Sequence, residues 1–282
     1  MEAGPAAETA YAKINLALHV RRRRRDGFHE IETIFAFARD GDRLTAAPAG
    51  DGAVTLTIDG PFAAGLATDA GNLVVRAAEA LRQAHGIAAG VRLHLDKRLP
   101  VASGIGGGSA DAAAALRLLA RMWDVAVPED IAAALGADVP ACVLSRSARA
   151  EGLGHPVHPI AGEALADLPL LLVNPGVPLG TGAVFAAWDR IDRGVLDLAD
   201  GGDLLVAALA GRNDLEPPAR TLRPEIDAVL AMLAAQPGVR LSRMSGSGAT
   251  CFALFDTKEA RDAAATIAAE QPGWWVMASA LR

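Results

Sequence analysis

The chain has 282 residues, of which 51% are hydrophobic and 21% are charged, and its formal net charge is −6. This composition excludes a disordered chain, and the acidic balance argues against a general nucleic-acid or membrane-surface binder, because such proteins need a basic face. The length predicts two domains. No signal-peptide segment and no apolar run of about 18 residues occurs, so we expect neither export nor membrane insertion. Cys142 and Cys251 lie far apart and lack metal-ligand spacing, which predicts a reducing, cytoplasmic location.

The first predicted element is a strand over residues 12–20, where apolar and polar residues alternate. The apolar residues from Ile14 to Val20 occupy one face, while Lys13 and Asn15 share the other. The pattern predicts that only one face is buried. Because the two polar residues lie about 7 Å apart along the strand, we expect them to act together if their face lines a cleft.

Five consecutive arginines, Arg21 to Arg25, follow this strand and end at Asp26-Gly27. Short charge runs are usually solvated, so the run predicts an exposed hairpin tip. A second role, attracting polyanionic ligands toward a nearby cleft, stays open as the alternative.

The next predicted elements lead to a glycine-rich segment. They are strands over residues 31–38, 54–58 and 91–95, and a helix over residues 73–85 with Asn72 as its N-cap and Gly86 after its end.

The segment from Pro100 to Leu116 reads PVASGIGGGSADAAAAL. Its glycines allow positive φ and let a ligand approach the backbone closely; they are Gly104, Gly106, Gly107 and Gly108. Ser109 is the predicted N-cap of a helix over residues 110–122. Since unpaired N–H groups and the helix dipole favour an anion at a helix N-terminus, the segment predicts a phosphate-binding loop.

The amino-acid sequence of this segment excludes two common types of phosphate-binding loop. A P-loop requires GxxxxGK[ST], but no lysine lies between Val101 and Ala120. The dinucleotide fingerprint requires a third glycine where Ser109 stands. A flexible surface loop is the simpler alternative, but the flanking strand and helix favour a loop of fixed shape.

The second half predicts helices and strands in an order that suits an α/β sandwich on an antiparallel sheet. Its predicted helices cover residues 181–190, 204–209, 224–235 and 258–270, while a further predicted helix over residues 128–135 belongs to the first α+β unit. Predicted strands cover residues 168–173, 239–244, 250–255 and 274–279. A turn is predicted at residues 136–140, a second glycine-rich turn at residues 245–248, and a seam between domains near residues 152–162.

Several motifs then resemble the GHMP kinases in order and spacing. They are AKINL (12–16), the glycine-rich segment (100–116), GADVP (136–140) and MSGSGATCF (244–252). Within that superfamily the chain is most similar to the family of 4-diphosphocytidyl-2-C-methyl-D-erythritol kinases. Further matches cover nearly the whole chain: RRDGFHEIETIF (24–35), NLVVRAA (72–78), EGLG (151–154), NPGVPLGTGAVF (174–185) and NDLE (213–216). Small departures are Phe28 for the usual tyrosine, Ile105 for leucine and Ala110 for a second serine.

The resemblance implies a fold and an activity. The implied fold class is α+β: a two-domain GHMP kinase fold with an N-terminal ribosomal protein S5 domain 2-like domain (1–158) and a C-terminal ferredoxin-like domain (159–282). The implied reaction is ATP-dependent phosphorylation of the 2-hydroxyl of the cytidine diphosphate-linked methylerythritol, with Mg²⁺, in the non-mevalonate isoprenoid pathway. The implied binding partners are small molecules, and neither a nucleic acid nor a membrane is expected. Monomer and homodimer both stay open. No residue is assigned as a Mg²⁺ ligand.

The resemblance also implies roles for particular residues. Asp138 matches the catalytic base, and Lys13 matches the lysine that orients the hydroxyl and stabilises charge on the transferred phosphoryl group. Without that context, Asp138 would be a turn residue and Lys13 an exposed strand residue. The implied ATP-binding residues are Pro100, Val101, Ala102, Ser103, Gly104, Ile105, Gly106, Gly107, Gly108, Ser109 and Ala110.

For the substrate that accepts the phosphoryl group, the resemblance implies a contact from Asn15. It also implies that Phe28 and Phe185 lie around the cytosine ring. His29 would read the edge of the base, and Thr181 would line the substrate cleft, with Asn72 assigned more loosely. As isolated residues, both phenylalanines would belong to the core and the histidine would be structural.

Three alternatives stay open at this point. A GHMP kinase for homoserine, mevalonate or a sugar would share Asp138 and Lys13 but would not need a cytosine pocket. A non-catalytic nucleotide- or partner-binding protein could lose both residues, yet both are present. An RNA-binding module conflicts with the acidic balance.

Overall fold

The computed structural model describes residues 6–162, 165–197 and 204–282. Its contacts divide the chain into two compact units. Unit 1 holds the chain up to Ala12, Asp40–Val101 and Gly106–Ser145; unit 2 holds Lys13–Arg39, Ala102–Ile105 and Arg146–Arg282. The chain passes between the units inside two long strands, β1 (Ala6–Arg23) and β2 (His29–Ala49). Neither unit is therefore continuous in sequence, and the boundary at residues 158/159 stays a prediction.

Unit 1 contains a helical layer and part of a mixed sheet. In chain order its further elements are β3 (Val54–Asp59), α1 (Leu73–His85), β4 (Gly90–Asp96), α2 (Gly107–Trp123), α3 (Glu129–Leu135) and α4 (Val139–Leu144). β4 pairs antiparallel with the end of β2 and parallel with β3. α1 packs against α2, whose alanines are buried and let the helices approach closely.

The predicted ends of α1 are confirmed. Asn72 caps the helix, and its Oδ1 accepts a hydrogen bond from the Val74 amide at 2.9 Å. Gly86 ends it in the left-handed conformation with φ of 63°.

Unit 2 is built on a four-stranded antiparallel sheet in the order β10-β7-β9-β8. In chain order its elements are β5 (Ala148–Gly152), β6 (Val157–Pro159), β7 (Pro169–Asn174), α5 (Thr181–Ala186), α6 (Leu204–Ala210), α7 (Glu216–Leu222), α8 (Glu225–Ala234), β8 (Val239–Met244), β9 (Cys251–Phe255), α9 (Lys258–Ala269) and β10 (Trp275–Ala280). The first half of β2 pairs with β5. Leu18 and Val20 of β1 join the apolar cluster of this sheet and its helices. The α+β class is confirmed.

The prediction that β1 buries only one face is wrong. Every residue from Ala12 to Val20 is buried, including Lys13 and Asn15, at 3% and 2% exposure. Distant segments of the chain cover the polar face and hydrogen-bond its side chains, which compensates their loss of water.

Other local predictions also need correction. Ser109 is not the N-cap of α2: Gly106 holds that position, and Ser109 is the third residue of the helix. The predicted turn at residues 136–140 runs into α4, which was not predicted, nor were β5, β6 and α7. The helix predicted over residues 181–190 ends at Ala186. Among the described residues, no helix is long and apolar enough to cross a membrane.

Candidate active site

A buried chain of hydrogen bonds joins the polar side chains of β1 and β2 in unit 2. Lys13 Nζ donates to Asn15 Oδ1 at 2.8 Å, and Asn15 Nδ2 donates to Thr33 Oγ1 at 2.7 Å. Thr33 in turn donates to the Ala17 carbonyl oxygen at 2.7 Å. Lys13 Nζ also lies 5.1 Å from the centre of the Phe35 ring. Lys13 and Asn15 therefore form one bonded group on the strand face that the sequence pattern predicts they share.

The glycine loop contacts the second glycine-rich turn. Ser245 Oγ donates to the Gly104 carbonyl oxygen at 2.9 Å and accepts from the Asn15 amide at 3.2 Å. The Lys13 amide donates to the Ile105 carbonyl oxygen at 3.0 Å, and the Thr250 amide donates to that of Ser103 at 3.1 Å. These bonds fix the loop backbone beside Lys13 and Asn15.

Gly104 is required at its position by close contact with the same turn. Its φ is +78°, and a Cβ on residue 104 would overlap the Ser245 carbonyl oxygen and come within 2.7 Å of Gly248 N. The loop can adopt this path only without a side chain there.

The N-terminus of α2 follows the loop in unit 1. Gly106 precedes the helix in the left-handed conformation and offers no capping side chain. Gly107, Gly108 and Ser109 form the first helical turn, and the Ala110 amide closes it by donating to the Gly106 carbonyl oxygen at 2.8 Å. The first amides of a helix have no intrahelical acceptor, so this turn can bind phosphate oxygens. Of the other predicted ATP-binding residues, Val101 is 54% exposed and Pro100 is buried.

A buried charged triad supports this helix start and was missed from the sequence. Lys97 Nζ bonds to Asp42 Oδ2 at 2.5 Å and to Asp111 Oδ2 at 2.6 Å. Burial lowers the pKa of Lys97, but the charges of Asp111 and Asp42 outweigh this and raise it. Burial raises the pKa of Asp111 to about 8, with Lys97 opposing the rise. The position of Asp111 inside the alanine run of α2 is the signal that could have revealed this site.

Asp138 lies immediately before α4 in unit 1, whereas Lys13 belongs to unit 2. Asp138 is half-buried. It is the N-cap residue of α4, but its side chain makes no capping hydrogen bond. The Cys142 amide donates to its carbonyl oxygen at 3.0 Å, which anchors the backbone at this point.

A group of rings in unit 2 contains the predicted cytosine-binding residues. The imidazole of His29 stacks on Phe185 with ring centres 4.9 Å apart, and it meets Trp188 edge-on at 5.7 Å. Phe28 is 63% exposed in the turn between β1 and β2. Burial lowers the pKa of His29, and the charges of Arg23 and Arg190 lower it further. Trp188 is the member of this group that the sequence did not indicate.

The remaining predicted site residues have defined partners. Thr181 Oγ1 lies 2.9 Å from Ser247 Oγ, which ties the start of α5 to the second glycine-rich turn. Asn72 uses its side chain to cap α1 and to donate to the Ala67 carbonyl oxygen at 2.8 Å.

Comparison with protein families gives two matches. Residues 72–146 match the GHMP kinases N terminal domain, and residues 197–272 match the GHMP kinases C terminal domain.

Comparison with individual proteins is consistent with these matches. The chain is 58% identical to a 4-diphosphocytidyl-2-C-methyl-D-erythritol kinase of Rhizorhabdus wittichii, over 98% of this chain and 94% of the relative. It is 51% identical to one of Sphingopyxis alaskensis, over 98% of each chain. A crystal structure of 4-(cytidine 5'-diphospho)-2C-methyl-D-erythritol kinase matches with a TM-score of 0.81 and 36% identity, covering 98% of both chains. A homoserine kinase from Cytophaga hutchinsonii shares the fold, with a TM-score of 0.72, 17% identity, and coverage of 100% of this chain and 96% of that one.

Proposed function

Since the chain belongs to the 4-diphosphocytidyl-2-C-methyl-D-erythritol kinases of the GHMP kinase family, we propose that it phosphorylates 4-diphosphocytidyl-2-C-methyl-D-erythritol. ATP is the phosphoryl donor, and the products are the 2-phosphate of that substrate and ADP. The reaction belongs to the non-mevalonate route to isoprenoid precursors.

The observation that carries this proposal is the fixed polar group of unit 2. Lys13 and Asn15 bond to each other, and Asn15 bonds through Ser245 to the backbone of the glycine loop. A cation and an amide held in place beside a loop suited to phosphate match what phosphoryl transfer requires, because this reaction is catalysed by positioning and charge stabilisation.

In the proposed mechanism the ATP phosphates bind to the loop and to the first amides of α2. The carboxylate of Asp138 accepts the proton of the 2-hydroxyl group while the oxygen of that hydroxyl group forms a bond to the γ-phosphorus. The bond from this phosphorus to the bridging oxygen breaks, and its electron pair leaves with ADP. The ammonium group of Lys13 stabilises the charge on the transferred phosphoryl group, and Asn15 orients the hydroxyl.

Mg²⁺ fits this chemistry as the ion that accompanies ATP. Among the described residues, no group of three or more histidine, cysteine, aspartate or glutamate side chains could hold a metal. Mg²⁺ in kinases is commonly bound by substrate phosphates, water and one or two protein oxygens, so a dedicated protein cage is not needed. When bound, the ion neutralises charge on the β- and γ-phosphates.

The cytidine end of the substrate is assigned to the ring group of unit 2. Phe185 and the exposed Phe28 supply aromatic faces for the base, and His29 supplies ring nitrogens for its polar edge. Thr181, bonded to Ser247, completes the contacts to the acceptor.

We assign the enzyme to the cytoplasm, as a monomer or a homodimer. Cys142 and Cys251 are buried and are not joined in a disulfide, which fits a reducing compartment. Burial also raises the pKa of Cys251, which keeps this thiol protonated and unreactive.

The test is ATP turnover by the purified protein with Mg²⁺ and the cytidyl substrate. Mevalonate, homoserine and galactose serve as competing acceptors. We expect turnover only with the cytidyl substrate, and a loss of about 10²-fold or more in kcat for Asp138→Asn. Asp130→Asn, which changes an exposed carboxylate on α3, is the matched control and should retain activity. Equal activity of the Asp138 variant would overturn the assignment of the base, and turnover of another acceptor instead would overturn the substrate.

A further inference from the structure

An open pocket lined almost entirely by arginine lies beside the ring group of unit 2. Its volume is about 490 Å³, and its lining residues are Arg21, Arg22, Arg23, Arg24, Arg25, Gly27, Trp188 and Arg190. Pockets for ordinary organic ligands of this size are mainly apolar, so this lining selects for anions instead. In a chain with a net charge of −6, such a concentration of positive charge is a local feature.

Part of this positive charge is already neutralised within the protein. Arg21 pairs with Glu32 and Asp192, Arg22 pairs with Glu30, and Arg24 pairs with Asp26. These ion pairs hold the arginine-rich turn in shape.

The other guanidinium groups keep their charge available. Within the described part of the chain, Arg23, Arg25 and Arg190 form no ion pair with a carboxylate. Arg23 is the last residue of β1 and Arg25 lies in the turn between β1 and β2, whereas Arg190 comes from the segment after α5, where it adopts a left-handed conformation with φ of 64°. Unpaired guanidinium groups therefore come to the pocket from two separate segments.

Trp188 adds a buried polar group to the lining of this pocket. Only 4% of this residue is exposed, and its indole Nε1–H is a buried donor without an acceptor among the described residues. Buried donors are nearly always satisfied, so an unsatisfied one in a pocket wall requires an explanation. Trp188 also lines this pocket, so the residue with the unsatisfied donor lies beside the guanidinium groups.

We propose that this arginine pocket binds a diphosphate group. Guanidinium groups bind phosphate oxygens in pairs of parallel hydrogen bonds, and several of them lining one pocket suit two linked phosphates better than one carboxylate. The diphosphate has two possible sources: a free inorganic diphosphate, or the diphosphate of the cytidine substrate. The second source rests on the function proposed above, and it is compatible with the contact between Trp188 and His29 in the ring group.

The test is calorimetric titration of the full-length protein with sodium diphosphate, without Mg²⁺ and at low ionic strength. The pocket variant is Arg23→Ala/Arg25→Ala, which breaks none of the ion pairs described above. The matched control is Arg92→Ala/Arg146→Ala, which removes two exposed arginines outside the pocket. Arg190→Ala tests the contribution of the segment after α5. Circular dichroism confirms that each variant is folded.

We expect diphosphate binding that weakens at least tenfold in the pocket variant and in Arg190→Ala, and less than twofold in the control. No binding by the unmodified protein would overturn the proposal. Unchanged affinity of the pocket variant would also overturn it, since the diphosphate would then bind elsewhere, as at the start of α2. An equal loss of affinity in the control variant would also overturn the proposal, because removal of any two arginines would then weaken diphosphate binding.

A second titration, with saturating cytidine diphosphate present, separates the two sources. Loss of diphosphate binding assigns the pocket to the diphosphate of the nucleotide, and retained binding assigns it to free diphosphate. Neither titration depends on turnover, so an active kinase that binds no diphosphate would overturn this inference and leave the proposed reaction standing.

Discussion

The backbone of Gly104 lies directly against the carbonyl oxygen of Ser245, with no space for a side chain between them. Gly104→Ala must therefore displace one of the two glycine-rich turns, in addition to placing alanine at a φ of +78°. We expect a loss of about 1–3 kcal/mol in the free energy of unfolding and a raised KM for ATP. Denaturant titration and steady-state kinetics measure both.

Gly50→Ala is the control for this change, because a Cβ on residue 50 meets no atom within 4 Å and its φ is not in the left-handed region. Equal effects of the two substitutions would show that the contact with Ser245 does not constrain the loop.

Lys13→Met removes the buried ammonium group but keeps a side chain of similar length. If Lys13 stabilises the transferred phosphoryl group, kcat should fall about 10²–10³-fold. Single-turnover kinetics with saturating ATP measure the chemical step. Lys258→Met, at an exposed position at the start of α9, is the control and should leave kcat unchanged. A kcat for Lys13→Met within threefold of the unmodified enzyme would contradict the assigned role.

Phe185→Leu removes the ring that stacks on His29. Aromatic pairs contribute about 0.5–1.5 kcal/mol beyond their buried area, so we expect KM for the cytidyl substrate to rise up to about tenfold. The KM for ATP serves as an internal control and should stay constant. A parallel rise in both KM values would point to a general disturbance of unit 2 rather than loss of a contact to the base.

The pKa of Asp111 makes stability depend on pH. Because its pKa is raised from 3.8 to about 8 in the folded protein, the folded state binds this proton more tightly than the unfolded state. Its contribution is complete below about pH 4 and is lost as the pH rises toward 8, with a slope of at most about 1.4 kcal/mol per pH unit.

Asp111→Asn tests this dependence, since an amide cannot titrate. Denaturant unfolding at several pH values between about 4 and 8 should show a smaller decline for the variant than for the unmodified protein. Identical slopes for the two proteins would contradict a raised pKa at Asp111.

Local features of the fold could be predicted from the sequence, because neighbouring residues determine them. Asn72 and Gly86 mark the ends of α1 by their own side-chain and backbone chemistry. The predicted start of α2 is wrong, because both Ser109 and a glycine in the left-handed conformation can precede a helix. Gly106 is the N-cap residue in the structure.

Burial in the candidate site could not be predicted, because distant parts of the chain create it. The Asn15 amide donates to Ser245 Oγ, 230 positions away in the sequence, and such distant contacts bury a strand face that the sequence pattern predicts to be exposed. Lys97 is 55 positions from Asp42 and 14 from Asp111, so no local pattern joins them. The roles of Asp138 and Lys13 came from the resemblance to a family and stay predictions.

The discontinuous composition of unit 2 has a consequence for biosynthesis. Residues of β1 and β2 bond to partners near the other end of the chain: Leu18 N to Arg212 O at 2.8 Å, and Arg282 N to Phe37 O at 3.0 Å. Both partners follow Ser145 in the chain, and every segment of unit 1 has been translated once Ser145 is added. Leu18 and Phe37 therefore lack these contacts until residues 212 and 282 have been synthesised, a period in which chaperones can protect incompletely paired strands.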